Sequence, residues 1–184
     1  MARIVGLAGS LRQGSFNAAL LRSAVLVAPQ SSEIEVASIS GIPLYNFDVE
    51  SVGIPDAVVL LKDRIAAADG LLLVTPEYNH SVPGVFKNAI DWLSRPPKDI
   101  GRVFKDKAVA MMGASSGGGG TRLSQAAWLP VLRTLGTRPW FGKQLYVTHA
   151  GKAFDENGTL IDDAARKQLT EFMAGFVAFV NERT

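Results

Sequence analysis

Apolar positions along this chain follow two alternating rhythms. Ile4 to Ala8 is a short apolar run, and Ile34 and Val36 alternate with Glu33 and Glu35, the period of a strand with one polar face. Leu71–Val74 and Ala108–Met112 are uninterrupted apolar runs, and Gln144–Thr148 is a mixed one. Between these runs the spacing becomes helical. Asn17 to Ala28 is helical in composition, and Val58, Leu61 and Ile65 form a stripe behind Pro55, a residue suited to a first helical turn. Phe86, Ala89, Ile90 and Leu93 recur at i, i+3, i+4 and i+7 until Arg95-Pro96-Pro97 ends the pattern. A fourth helix is predicted from about Thr121 to Leu135, and Leu169, Phe172, Met173, Phe176 and Val180 line a closing one. Gly70 reads as the stop of the second helix, and Asn157-Gly158 as a turn.

Five strands alternating with five helices predict an α/β fold with a parallel sheet covered on both faces. The first, third and fourth strands are the most continuously apolar, as interior strands are, while the second and fifth are mixed, as edges can be. That texture fits a flavodoxin-like three-layer fold with strand order 2-1-3-4-5. Its ligand crevice lies beyond the carboxyl ends of strands one and three. No repeat or long linker divides the chain, so residues 1–184 are expected to form one domain.

Composition narrows the chemistry. The 184 residues include no Cys and two His, His80 and His149, which excludes disulfides, thiolate zinc sites, iron–sulfur clusters, a cysteine nucleophile and a His-rich metal centre. No metal site is therefore expected, and electrons handled by this protein must sit on a bound cofactor. The net charge of +2 is too small to point to nucleic acid. No run reaches the roughly 18 apolar residues of a membrane helix. Residues 1–9 imitate a signal peptide, but Arg12 cuts the apolar stretch short, so a first strand and a cytoplasmic location are the expectation.

In a parallel sheet every strand-to-helix loop lies at the same rim, so three unusual segments become neighbours. The first, Gly9-Ser10-Leu11-Arg12-Gln13-Gly14-Ser15-Phe16-Asn17, brings hydroxyls, an Arg and an Asn to a helix N-terminus, where unpaired N–H groups favour an anion. Residues 1–32 contain Arg3, Arg12 and Arg22 and no acid, so nothing local opposes a phosphate. The plainer alternative is a capped turn using Ser15 or Asn17. The loop lacks the Lys of a Walker motif, and G-x-G-x-x-G occurs nowhere in the chain. The second segment, Thr75 to Gly84, is stiffened by Pro76 and Pro83. It offers the aromatic Tyr78 and backbone polar groups, a surround suited to a planar heterocycle. Its plainer alternative is a rigid loop with Ser81 capping the next helix. The third, Gly113 to Gly120, exposes backbone N–H groups at four consecutive Gly, suited to a ligand lying on the main chain; its plainer alternative is a flexible loop. It also matches G-x-S-x-G, the nucleophile elbow of hydrolases. No Asp or Glu lies between residues 116 and 148, so the order Ser, acid, His of that triad cannot be built.

Together these motifs resemble the NADPH-dependent FMN reductase family, in particular its chromate/quinone reductase branch. The resemblance is carried by Gly9-Ser10-Leu11-Arg12 with Ser15-Phe16-Asn17; by Pro76-Glu77-Tyr78-Asn79 with Ser81, Pro83-Gly84, Lys87-Asn88-Ala89 and Asp91-Trp92; and by Ser115-Ser116-Gly117-Gly118. It spans essentially the whole chain. It implies one non-covalent FMN per subunit, NADPH or NADH as co-substrate, and a homodimer or homotetramer with flavin near a subunit interface. By position, Ser10, Arg12, Ser15 and Asn17 would hold the FMN phosphate, with Phe16 beside them. Pro76, Glu77, Tyr78 and Asn79 would border the isoalloxazine largely through backbone groups, with Ser115, Gly117 and Gly118 beyond. The helix from Lys87 to Trp92 would serve packing and subunit contact, and Arg95 would lie near a neighbouring subunit's flavin and attract anionic acceptors, its plainer alternative being an exposed Arg at a helix end.

The expected activity is hydride transfer from nicotinamide to flavin N5, then reduction of quinones or other acceptors, chromate and other metal oxyanions among them. The flavin carries that chemistry, so no side chain is assigned as catalytic. Between Gly101 and Lys152 eight Lys/Arg face Asp106 alone, a distribution that suits anionic substrates and equally a plain solvated basic face, with a nucleic-acid-binding module as a third reading. The alternative is a flavodoxin-type electron carrier without its own NAD(P)H turnover. Such carriers are often strongly acidic, unlike this chain with its pI near 9.0.

Overall fold

The computed structural model describes residues 1–182. Its sheet is parallel. The strands are β1 (Ala2–Ala8), β2 (Ser32–Ala37), β3 (Gly70–Val74), β4 (Ala108–Ala114), β5 (Arg138–Pro139) and β6 (Tyr146–Val147). The order is β2-β1-β3-β4-β5, with β6 also pairing β4. The predicted order therefore holds, but the fifth position is shared by two fragments. β5 pairs Ala108 and Val109, and β6 pairs Gly113 and Ala114 further along the same strand. The expected run at 144–148 contracts to Tyr146–Val147, and residues 140–145 between the two fragments lie outside the strands. Trp140 then packs edge-on against Phe172 of the closing helix.

Side-chain alternation explains how the sheet is covered. Ile4, Leu72, Val74, Ala110 and Met112 face a core with α1 (Phe16–Val27) and α8 (Asp163–Asn181). Val5, Leu7, Leu71, Leu73 and Val109 face a second core with α3 (Asp56–Ala67), α4 (Gly84–Leu93) and α6 (Arg122–Thr134). Every residue of β3 is buried, as its continuous apolar run implies. These are the five predicted helices. Shorter ones are α2 (Phe47–Val52), capped by Asn46, α5 (Ile100–Val103) and α7 (Ala150–Ala153).

Two local expectations need correction. Gly70 is not a helix stop: α3 ends at Ala67, and Gly70 opens β3, where a Cβ would come within 2.9 Å of Val180 and 3.4 Å of Ile4. Ser81 does not cap α4. Pro83 takes the N-cap position with no side-chain bond, while Ser81 exchanges backbone hydrogen bonds with Tyr78 at 3.0 and 3.2 Å. On the α3 side, Lys62 is buried among apolar residues, ion-paired with Asp99 at 2.5 Å and donating to the Arg95 carbonyl.

Candidate functional site

The three loops leave the sheet side by side. Gly9 N–H donates to Val74 O at 2.9 Å, Thr75 N–H to Met112 O at 2.9 Å, and Ser115 N–H to Val147 O at 3.0 Å, so the ladder runs one residue past each strand end. Beyond it lies a cavity of about 160 Å³. It is lined by Ser10, Arg12, Ser15, Phe16 and Asn17 from the first loop, Pro76, Glu77 and Tyr78 from the second, and Ala114, Ser115 and Ser116 from the third. Three segments distant from one another in the chain thus meet in one place, as the topology requires. Of the residues singled out from sequence, Asn79, Arg95, Gly117 and Gly118 stand outside this lining. Asn79 is exposed at a loop tip with φ 51°, and the two glycines are exposed further along the third loop. Ala114 and Ser116 were missed; their adjacency to Ser115 was the available signal.

One end of the cavity is built for an anion. Ser15 caps α1, its hydroxyl accepting from Ala18 N–H at 3.2 Å. The N–H groups of Phe16 and Asn17 in the same first turn have no partner within the helix and carry the positive end of its dipole. Ser10 Oγ accepts from Arg12 N–H at 3.3 Å, and Ser15 N–H donates to Arg12 O at 3.2 Å, which folds the loop back over the helix end. The Arg12 side chain is exposed and, among the described residues, has no carboxylate within ion-pair distance. Two hydroxyls, a guanidinium and a helix end make a donor set suited to a phosphate monoester.

Buried hydrogen bonds hold the loops to one another. Asn17, 4% exposed, donates from Nδ2 to Ala114 O and accepts at Oδ1 from Ala114 N–H, both at 2.9 Å. Its amide is therefore a clamp between loops one and three, in addition to its place in the lining. Glu77 joins loops two and three: Oε2 accepts from Leu123 N–H at 2.9 Å and Ser124 N–H at 3.1 Å in the first turn of α6, and Oε1 lies 3.2 Å from His80 Nδ1. Beneath them, Trp128 Nε1 donates to Thr75 Oγ1 at 3.0 Å, and Thr75 Oγ1 meets Ser124 Oγ at 3.0 Å. Close approach sets two glycines here. A Cβ on Gly9 would fall 2.2 Å from Phe86, and one on Gly113 would fall 2.2 Å from both Thr121 and the Thr75 carbonyl.

The rim is softer. Tyr78 is half exposed, and the third loop is tied down at its start, where Ala150 N–H donates to Ser115 O at 2.9 Å and His149 N–H to Gly117 O at 3.1 Å. Arg95 points to a different neighbourhood. Its Nε donates to Glu50 at 2.9 Å, its guanidinium lies 5.9 Å from the centre of the Tyr45 ring, and Tyr45 OH donates to the same Glu50 oxygen at 2.7 Å. These bonds to Arg95 and Tyr45 hold the Glu50 carboxyl below its ordinary range. Among the described residues no group of three or more His, Cys, Asp or Glu could hold a metal ion, and no helix is long and apolar enough to cross a membrane.

Comparison with known proteins agrees with this geometry. Residues 2–152 match the model of the NADPH-dependent FMN reductase family. The chain belongs to that family. An NAD(P)H-dependent FMN reductase of Pseudomonas aeruginosa is 45% identical over 169 residues, covering 92% of this chain and 90% of the relative. A 2-hydroxy-1,4-benzoquinone reductase of a Burkholderia species is 38% identical over 181 residues, covering 98% and 97%. Among solved structures, the flavoenzyme NAD(P)H:(acceptor) oxidoreductase FerB of Paracoccus denitrificans superposes with a TM-score of 0.89 at 34% identity, covering 99% of this FMN reductase family member and 98% of FerB. The flavodoxin-like architecture read from strand order is thus shared with a flavoenzyme across the full described fold.

Proposed function

We propose that this family member is an FMN-dependent NAD(P)H:quinone oxidoreductase whose cofactor sits in the cavity between the three loops. When bound, the flavin supplies the hydride-accepting and electron-donating centre. The chain's residues bind and orient it. Arg12, Ser10, Ser15 and the free amides of Phe16 and Asn17 hold the phosphate. Pro76, Tyr78 and Asn79 border the ring with backbone groups of Glu77, while Ser115, whose own N–H is held by Val147 O, and the main chain of Gly117-Gly118 border it on the opposite side. Arg95, paired with Glu50 outside this cavity, is assigned to the neighbourhood of a second copy's flavin, where it would meet anionic acceptors. The exposed Leu44, Phe47 and Val52 on the neighbouring segment support self-association as a homodimer or homotetramer. The substrate class is a small planar acceptor of the quinone type, and the setting is the cytoplasm, where nicotinamide nucleotides are available.

The observation that carries this reading is the Arg12 guanidinium beside an open helix N-terminus, free of any carboxylate partner among the described residues, at the one rim where all three loops meet. The test is direct. Purified protein should show the visible absorption of oxidised flavin, release FMN on denaturation, and oxidise NADH or NADPH in steady state with benzoquinone. A protein that stays colourless after incubation with FMN refutes the cofactor assignment. A flavin-loaded protein without turnover refutes the enzyme and leaves an electron carrier.

A further inference from the structure

A carboxylate in a phosphate-binding cavity is an electrostatic anomaly, and Glu77 is the only acid in this lining. It is also turned away from solvent, with its side chain 14% exposed. Its bonds explain why it is tolerated. Oε2 is the shared acceptor of the Leu123 and Ser124 amides, so the negative charge faces the positive end of α6. That helix has no cap of its own. Thr121, at the N-cap position, makes no side-chain cap bond; its hydroxyl instead accepts from Gln125 Nε2 at 3.0 Å. No acid stands in the first turn of α6, and Arg122 puts a cation there, the wrong sign for that end of the dipole. Glu77 supplies from a loop 46 residues away what the local sequence omits.

The position of α6 matters because its first turn is the exit of the Gly-rich loop. At its entry the loop is fixed by Ser115 and Gly117, bonded to the backbone of residues 147–150. Beyond Gly117, Gly119 has no neighbour within 4 Å of a Cβ position, so side-chain packing does not hold that part of the loop. The far end is fixed by Gly120, at φ 64° against Tyr146, and by the Glu77 bonds that follow.

We propose that Glu77 is a positioning residue. Its carboxylate caps α6 from the second loop, fixes the exit of the Gly-rich loop, and acts on flavin binding only through that loop. This rests on the cofactor assignment above, so the experiment includes an arm that does not use flavin. Glu77→Ala, Glu77→Gln and wild type are compared by amide hydrogen exchange without and with FMN, and by equilibrium dialysis against FMN. Glu77→Gln retains an acceptor oxygen for the two amides. The expected result is loss of protection at Leu123 and Ser124 in Glu77→Ala, largely restored in Glu77→Gln. FMN dissociation constants should follow in parallel, rising about fivefold in the alanine variant, the equilibrium equivalent of one helix cap. If both variants bind FMN more tightly, the carboxylate acts by repelling phosphate and the proposal fails. It also fails if both lose affinity with exchange unchanged, which means direct ligand contact, or if the alanine variant keeps its protection or its affinity. If wild type binds no FMN, the exchange arm still decides the cap while the cofactor assignment is lost separately.

Discussion

The clamp formed by Asn17 gives a sharp test of how the site is assembled. In Asn17→Ala two buried hydrogen bonds of 2.9 Å disappear, and the Ala114 N–H and C=O lose the partners that cross 97 residues of sequence. Each bond contributes a net ~1 kcal/mol, and a buried group left unpaired costs ~1–3 kcal/mol. Ala114 is 3% exposed, so water replaces the partners poorly. The expected destabilisation is about 2–4 kcal/mol, lowering Tm by roughly 5–12 °C for a domain of this size. Asn17→Asp separates the two bonds: it keeps the acceptor for Ala114 N–H but sets a carboxylate oxygen against Ala114 O. It should lose at least as much stability and, with an added negative charge beside the phosphate site, more FMN affinity than alanine. Urea unfolding followed by circular dichroism, with the m value checked for constancy, measures the first quantity, and FMN titration the second. An alanine variant within about 0.5 kcal/mol of wild type would show that loops one and three are held together by something else.

Three further outcomes are expected. Arg12→Ala should weaken FMN binding by about 1.5–3 kcal/mol, the scale of hydrogen bonds to a charged group, with unfolding in the absence of FMN little changed; equilibrium dialysis checks it. Gly9→Ala should destabilise by about 1–3 kcal/mol through overpacking, because the new methyl would sit 2.2 Å from a Phe86 ring already held edge-on against Trp128, and thermal unfolding measures this. The hydrogen bond from Lys62 holds the Asp99 carboxyl below its ordinary range, with further help from the Arg102 and Lys98 charges. A depressed carboxylate contributes stability above its unfolded pKa that is lost as pH falls through the folded value. The urea midpoint of wild type should therefore fall more steeply below about pH 4 than that of Asp99→Asn; equal slopes contradict the pairing.

The sheet was legible because burial on both faces leaves a direct mark: Leu71–Val74 and Ala108–Met112 have no polar position to spare. The loop cluster followed from topology, since parallel strands must send their exits to one rim. What stayed hidden are the pairings across long separations. Nothing near Asn17 indicates that its amide belongs to Ala114, so its surroundings suggest only phosphate contact or a helix cap. Nothing near Glu77 reveals that α6 lacks a cap. Ser81 looks like a helix cap by residue type, yet Pro83, which pre-sets its own backbone angle, takes the position. The division of the fifth strand was hidden for another reason. Pro139 ends one fragment, and the aromatic anchor that follows it, Trp140 on Phe172, joins residues 32 positions apart.

That division has a consequence for how the molecule behaves in a crowded solution. An unpaired strand margin invites a passing chain to add itself, and a long flat one seeds fibrils. At one margin of this sheet, two short fragments with a bulging excursion between them leave no straight length for a foreign strand to follow. At the other, β2 projects Glu33 and Glu35, whose charge discourages lateral addition. The same departure from regularity that obscured the fifth strand in the sequence thus helps to keep the sheet from growing beyond its own polypeptide.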